Sequence, residues 1–245
     1  MKKLVLLTAL SFSYSLIFAQ TGGLNGLLKK ASSTVSGTNS TSGSSLSTDQ
    51  IVAGLKEALN VGAQNSASKL SAADGFFKDA AVKILMPDEA KKVESTLRSM
   101  GMGKLVDDAI LSVNRAAEDA SKTAAPIFVN AVKSMSVKDA LGILQGADTA
   151  ATSYLRKTTN TDLTASFKPV IEQSLQKTNA TKYWSEVFTA YNKVSLKKVD
   201  PDLTNYVTSK ALNGIFYYVG EEEKKIRTNP TAQVTDILKQ VFGKK

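Results

Sequence analysis

The chain has no cysteine and no histidine, and a single tryptophan. Without cysteine there is no disulfide framework, no thiolate nucleophile and no cysteine metal site. Without histidine there is no Ser-His-Asp triad, no imidazole ligand and no side chain whose ordinary pKa lies near neutral pH. Arginine is scarce too. Only Arg98, Arg115, Arg156 and Arg227 stand among 31 basic residues, and the rest are lysine. Lysine-dominated positive charge suits solubility or loose attraction to anionic surfaces, whereas planar phosphate recognition favours arginine forks. Nucleic acid is therefore not an expected partner.

The N-terminus reads as a secretory signal over residues 1–19. Lys2 and Lys3 precede an apolar run from Leu4 to Phe18, and Ala19 stands before Gln20. The run is short for a membrane span, which needs about 20 apolar residues. Cleavage after Ala19 removes two lysines and lowers the net charge from +9 to +7. No later segment is long and apolar enough to span a bilayer, so no transmembrane span is expected in the mature chain. An exported chain without cysteine must rest on its hydrophobic core alone.

Residues 20–47 predict a flexible tether. Leu24, Leu27 and Leu28 form a short apolar patch, and from Ser32 to Thr48 nearly every residue is Ser, Thr, Gly or Asn. Such a stretch buries too little to offset its ordering entropy. From residue 48 to 243 the apolar residues recur at helical spacing, with no alternating run that predicts a strand. Ser47 with Gln50, and Ser136 with Asp139, have the spacing of helix starts. Pro87 and the Asp200-Pro201 pair fit helix openings, Pro126 either kinks the helix before it or opens the next, and Pro169 predicts a break or restart. Two separate helices are expected around 148–158 and near Leu163. Val93, Leu97 and Met100 form the apolar face of the helix that Gly101 and Gly103 end. The stretch FFKDAAVKILMP, Phe76 to Pro87, is open between a short helix and an extended arm. The expected architecture is all-α: one compact bundle of about eight to ten helices.

Few residues offer chemistry. Gly101-Met102-Gly103-Lys104 lacks the spacing and hydroxyl of a P-loop and reads as a helix stop and restart. Nothing matches a metal loop or the Glu-x-x-His pair of di-iron bundles, so no metal or cofactor is expected. The Glu221 to Lys225 run reads as a solvated helix face, with Glu223 and Arg227 paired four apart. Trp184, Phe188 and Tyr191 read as core or interface. Asn114, Arg115 and Glu118 are more specific. Asn114 and Glu118 share a face, and Arg115 can pair with Glu118, within an alanine-rich segment that allows close packing. With Tyr154, Glu222 and Arg227 they are the candidates for a ligand-binding or structural polar network. No catalytic residue is assigned.

Several segments carry a resemblance: GLKEAL at Gly54 to Leu59, DGF at Asp74 to Phe76, NRAAEDA at Asn114 to Ala120 and APIF at Ala125 to Phe128. DALGILQG at Asp139 to Gly146, AATSYLRKTT at Ala150 to Thr159, YVTSKALNGIF at Tyr206 to Phe216, EEEKKIRTNP at Glu221 to Pro230 and VFG at Val241 to Gly243 follow in order. Together, over roughly residues 47–243, they resemble the bacterial domain-of-unknown-function family numbered 4197. The stretch Phe76 to Pro87 departs from it, since the family often has an extra proline there. The resemblance implies an exported helical protein of the periplasm or cell envelope, and it assigns no activity.

Two readings follow. The first is a non-catalytic exported protein that binds or scaffolds an envelope protein, a small ligand or an anionic surface. The second is a carboxylate-dependent hydrolase of envelope glycans, which needs two carboxylates about 5 to 9.5 Å apart across a cleft. Glu118 is its best acid.

Overall fold

A computed structural model describes residues 47–177 and 202–228, with the single positions Ala180, Thr181, Trp184 and Asn192. Seven α-helices lie among these residues, and no strand. They are α1 (Thr48–Ser71), α2 (Lys91–Ser99), α3 (Gly103–Ser121), α4 (Ala124–Ser134), α5 (Val137–Gln145), α6 (Ala150–Gln176) and α7 (Leu203–Thr228), with a 3₁₀ turn at Asp88–Ala90 before α2. The all-α class expected from the sequence is the one observed. The count is below eight to ten. Of the stretch with helical spacing, residues 229–243 and most of 178–201 lie outside the described residues.

Local signals set the helix ends. Ser47 Oγ accepts the Gln50 N–H at 3.2 Å, and Gln50 Oε1 accepts the Ser47 N–H at 2.9 Å, closing a capping box on α1. Ser136 and Asp139 do the same for α5. Pro126 sits in the first turn of α4, where an N–H has no helical partner to lose, so it opens that helix. Gly101 ends α2 with φ +80, a conformation that costs glycine nothing. At the start of α7 the Asp202 carboxylate accepts the Asn205 N–H at 3.1 Å. The expected opening pair, Asp200-Pro201, lies outside the described residues.

The helices expected around 148–158 and near Leu163 are one, and Pro169 does not break it. α6 runs through Pro169, which is exposed, as is Ala165 four residues earlier. The carbonyl left without an N–H partner therefore faces water, which reduces the cost of the proline. The buried residues of α6 explain the hidden periodicity. Ala151, Leu155, Thr159, Leu163, Phe167, Ile171 and Leu175 recur every four residues. Each step of four turns about 40° past a full turn, so six steps wind the stripe about 240° around the axis. α6 is thus buried on different sides at different heights. It packs against α3, α4, α5 and α7 in turn.

One large core joins α1, α3, α4, α6 and α7. Phe128 meets Phe216 edge to face, ring centroids 5.8 Å apart. Ala116, Ala117, Ala120 and Ser121 are buried on α3 and let it approach α6 closely. Gly214 on α7 leaves the space that the Phe76 ring fills. A Cβ there would lie 2.6 Å from Phe76 Cε1. The helix α2 differs from the rest. It has no buried residue, and its substantial packing is confined to α3 and the 3₁₀ turn.

Gly214→Ala is expected to lower unfolding stability by about 1–3 kcal/mol, because the added methyl overpacks a filled site. Gly142→Ala, in α5 with no atom within 4 Å of the added Cβ, is expected to raise it by about 0.5–1 kcal/mol. Urea denaturation of both variants checks this. Equal shifts of the same sign would contradict the packing described.

Candidate functional site

The irregular segment 72–87 is where the polar trio acts. After α1 the chain turns at Asp74, which has φ 67. Gly75 follows in a space where a Cβ would lie 2.4 Å from the Lys69 carbonyl oxygen. Phe76 is then buried, and residues 83–87 have no regular secondary structure, with Pro87 itself extended. The stretch left open by the sequence is neither a regular helix nor a strand: it is a run of turns, partly bonded to itself, leading into an irregular arm. Irregular backbone against a core leaves some N–H and C=O groups without backbone partners, so side chains must supply them.

Asn114 and Glu118 on α3 do so. Asn114 Oδ1 accepts the Ile84 N–H at 2.8 Å, and its Nδ2 donates to the Ile84 carbonyl at 2.8 Å and to the Ile110 carbonyl at 2.6 Å. Glu118 Oε1 accepts the N–H groups of Phe76 at 3.1 Å and Phe77 at 3.2 Å. Its Oε2 accepts from Arg115 Nη1 at 2.6 Å, while Arg115 Nη2 donates to Asp74 Oδ1 at 2.6 Å. Asn114 and Glu118 are buried, and Arg115 is half exposed. The arm is also held by Asp79, which accepts from the Tyr218 hydroxyl and pairs with Lys69 at 3.3 Å, and by the Tyr206 hydroxyl on the Leu85 carbonyl at 2.6 Å. Both Glu118 oxygens are occupied by donors, so the hydrolase reading loses its best acid.

A second buried carboxylate repeats the arrangement. Thr149 makes no side-chain cap at the start of α6. Glu223 on α7 caps it instead, accepting the N–H groups of Ala151 at 3.0 Å and Thr152 at 2.8 Å and the Thr152 hydroxyl at 2.7 Å. Arg227 donates to Glu223 through Nε and Nη2 and to the Ile143 carbonyl at 2.9 Å. A negative group at a helix N-terminus is favoured by the dipole as well as by the free N–H groups. The Glu223–Arg227 pair read from the sequence is present, but it is buried and not on a solvated face. The sequence candidate Glu222 is not part of this network. It accepts from Asn65 at 3.1 Å and pairs with Lys225. Tyr154 joins neither network. It packs against the core edge, and burial pushes its hydroxyl pKa up.

Beside the arm lies a cleft of about 610 Å³, within the size range of small-molecule sites. One wall is α3, from Leu105 through Ala109 and Ile110 to Arg115. A second is α2, through Val93 and Leu97. Leu85 and Met86 of the arm, and Trp184, Leu203 and Tyr206, complete it. Trp184 stacks on Tyr206 with centroids 5.6 Å apart. Phe188 and Tyr191, read with Trp184 as one cluster, lie outside the described residues. Of the apolar face read on α2, Val93 and Leu97 line this cleft, while Met100 is 68% exposed. Ser112, Arg115, Asp119, Ser174 and Lys177 supply the polar groups beyond Ile110, and Asp108 lines the cleft before it. Among the described residues no cluster of three or more Asp or Glu side chains could hold a metal ion, and no helix is long and apolar enough to cross a membrane.

Asn114→Ala strands the Ile84 N–H and C=O in the interior. It is expected to cost about 2–4 kcal/mol, one unsatisfied buried group being worth about 1–3. A loss within about 0.5 kcal/mol by urea denaturation, the size of a surface change, would show that the clamp does not hold the arm. Acid should act on the same region. The hydrogen bonds from Lys78 and then Arg115 hold the Asp74 carboxyl below its ordinary value. A carboxyl depressed in the folded state stabilises it above the unfolded pKa, about 3.9, and that contribution is lost as pH falls through the folded value. Fluorescence-monitored stability is expected to be level down to about pH 5 and to fall below about pH 4, less steeply in Asp74→Asn. An unchanged acid slope in that variant would contradict the assignment.

Neither a curated protein nor a solved structure matches the chain. A family model does, over nearly all of the sequence that follows the expected tether. The chain belongs to the family described as protein of unknown function (DUF4197), whose model matches residues 45–243.

Proposed function

We propose that this is an exported, non-catalytic helical protein of the bacterial cell envelope that binds a small apolar ligand in the cleft between α2, α3 and the arm. The cleft carries the reading. Apolar side chains line most of a space large enough for a small molecule, where a fully packed bundle would leave none. A short amphipathic helix that buries none of its residues forms one wall. The two buried glutamates are bound to backbone N–H groups and arginines, which suits a scaffold more than acid–base chemistry. Export is supported by the pattern of residues 1–19. Basic and acidic side chains nearly balance across the described residues, so a general attraction to anionic surfaces has no support from this part of the chain.

Expression in a Gram-negative host is expected to give a periplasmic species that begins at Gln20 by intact mass. A cytoplasmic chain retaining Met1 would contradict export. Mature protein purified from an envelope extract, denatured and extracted into organic solvent, is expected to release a small apolar compound seen by mass spectrometry. Ala109 is half-buried and lines the cleft, so Ala109→Phe fills it and is expected to release none. Equal yields from both proteins would overturn the cleft as the binding site.

A further inference from the structure

The cleft has a direction, and its two ends differ. Leu105 and Arg115 both line it on α3, ten residues apart, which spans about 15 Å along the helix. A bilayer hydrocarbon core is about 30 Å thick, so one acyl chain reaches about 15 Å. That stretch, apolar except for Asp108 and Ser112, matches a single acyl chain in length. Past Arg115 the lining changes. Asp119 lies about 6 Å further along α3, and Ser174 and Lys177 stand opposite at the end of α6.

The charges at that end are unequally engaged. Asp119 accepts from Lys122 at 2.8 Å and from the Ser174 hydroxyl at 3.2 Å. Arg115 is bound to Glu118 and Asp74. Among the described residues no carboxylate lies within ion-pair distance of the Lys177 ammonium; the Asp119 carboxyl, already bound to Lys122 and Ser174, feels its charge from further away. Its position at the C-terminus of α6 favours a cation without neutralising it. An incoming anion would meet this ammonium at the point where the apolar lining stops.

We propose that the cleft takes a single-chain amphiphile with an anionic head, its tail lying between α2 and α3 and its head beside Lys177. This rests on the ligand-binding reading above and adds the ligand's chemical class and orientation. A carboxylate or a phosphate head meets the same requirement, so free fatty acids and acylglycerol phosphates are both covered.

Trp184 is the single tryptophan of the chain and lines the cleft, so its emission reports occupancy. The test titrates mature protein with a bromine-labelled palmitate that quenches tryptophan. Competitors are palmitate, a monoacylglycerol phosphate, hexadecanol and hexadecyltrimethylammonium. Saturable quenching is expected, reversed by either anionic competitor; the stronger of the two identifies the source of the head group. Hexadecanol and the cationic amphiphile are expected to compete less well, by up to about fivefold for the loss of one exposed charge pair. Lys177→Gln, a change at an exposed side chain, is expected to weaken palmitate by a similar factor and leave hexadecanol unchanged. If hexadecanol matches palmitate, or Lys177→Gln alters neither, the anionic head is wrong and the apolar site stands. If no amphiphile quenches Trp184 in the wild-type protein, the binding reading falls with it. Quenching that persists unchanged in Ala109→Phe would place the ligand outside the cleft and also overturn the proposal.

Discussion

The fold depends on how α3 completes the hydrogen bonding of the irregular segment 72–87, laid against its core. The turns of this segment bond partly to themselves, but Phe76, Phe77 and Ile84 need side-chain partners, and a buried unpaired group costs about 1–3 kcal/mol. Asn114 answers both polar groups of Ile84, and Glu118 answers the N–H groups of Phe76 and Phe77. Once pinned, the arm delivers Phe76 into the gap at Gly214 and sets Leu85 and Met86 along the cleft. The clamp therefore links core packing to the shape of the candidate binding site.

The same solution appears twice. Glu118 and Glu223 each take two consecutive backbone N–H groups and one arginine on their own helix. Burying a carboxylate is costly unless it is paired and hydrogen-bonded, and both are. In each case the backbone groups served belong to a distant stretch of chain, the arm for Glu118 and the first turn of α6 for Glu223. The two networks fix tertiary positions that hydrophobic contact alone, being non-directional, would leave free to slide. A chain without disulfides gains directional ties in this way.

Much of this was legible in the sequence. Ser47 with Gln50 and Ser136 with Asp139 gave helix starts that the structure places at those residues, because a capping box is a local chemical pattern. The shared face of Asn114 and Glu118 followed from their spacing. What they bind did not, since an irregular arm has no period to read. The choice between Glu222 and Glu223 was hidden for a similar reason. Adjacent residues point about 100° apart on a helix, and only tertiary contact decides which is inside. α6 looked like two helices because its buried stripe winds around the axis and keeps no fixed face. The apolar face of α2 was visible, but a sequence does not distinguish a face that meets core from one that meets a cleft.

Native-state hydrogen exchange of individual amides tests the central claim most directly. If Asn114 and Glu118 make the arm part of the core, the amides of Phe76, Phe77 and Ile84 will exchange only with the free energy that governs the buried middle of α6. Exchange of those three at the rate of exposed loop amides, while α6 stays protected, would contradict it.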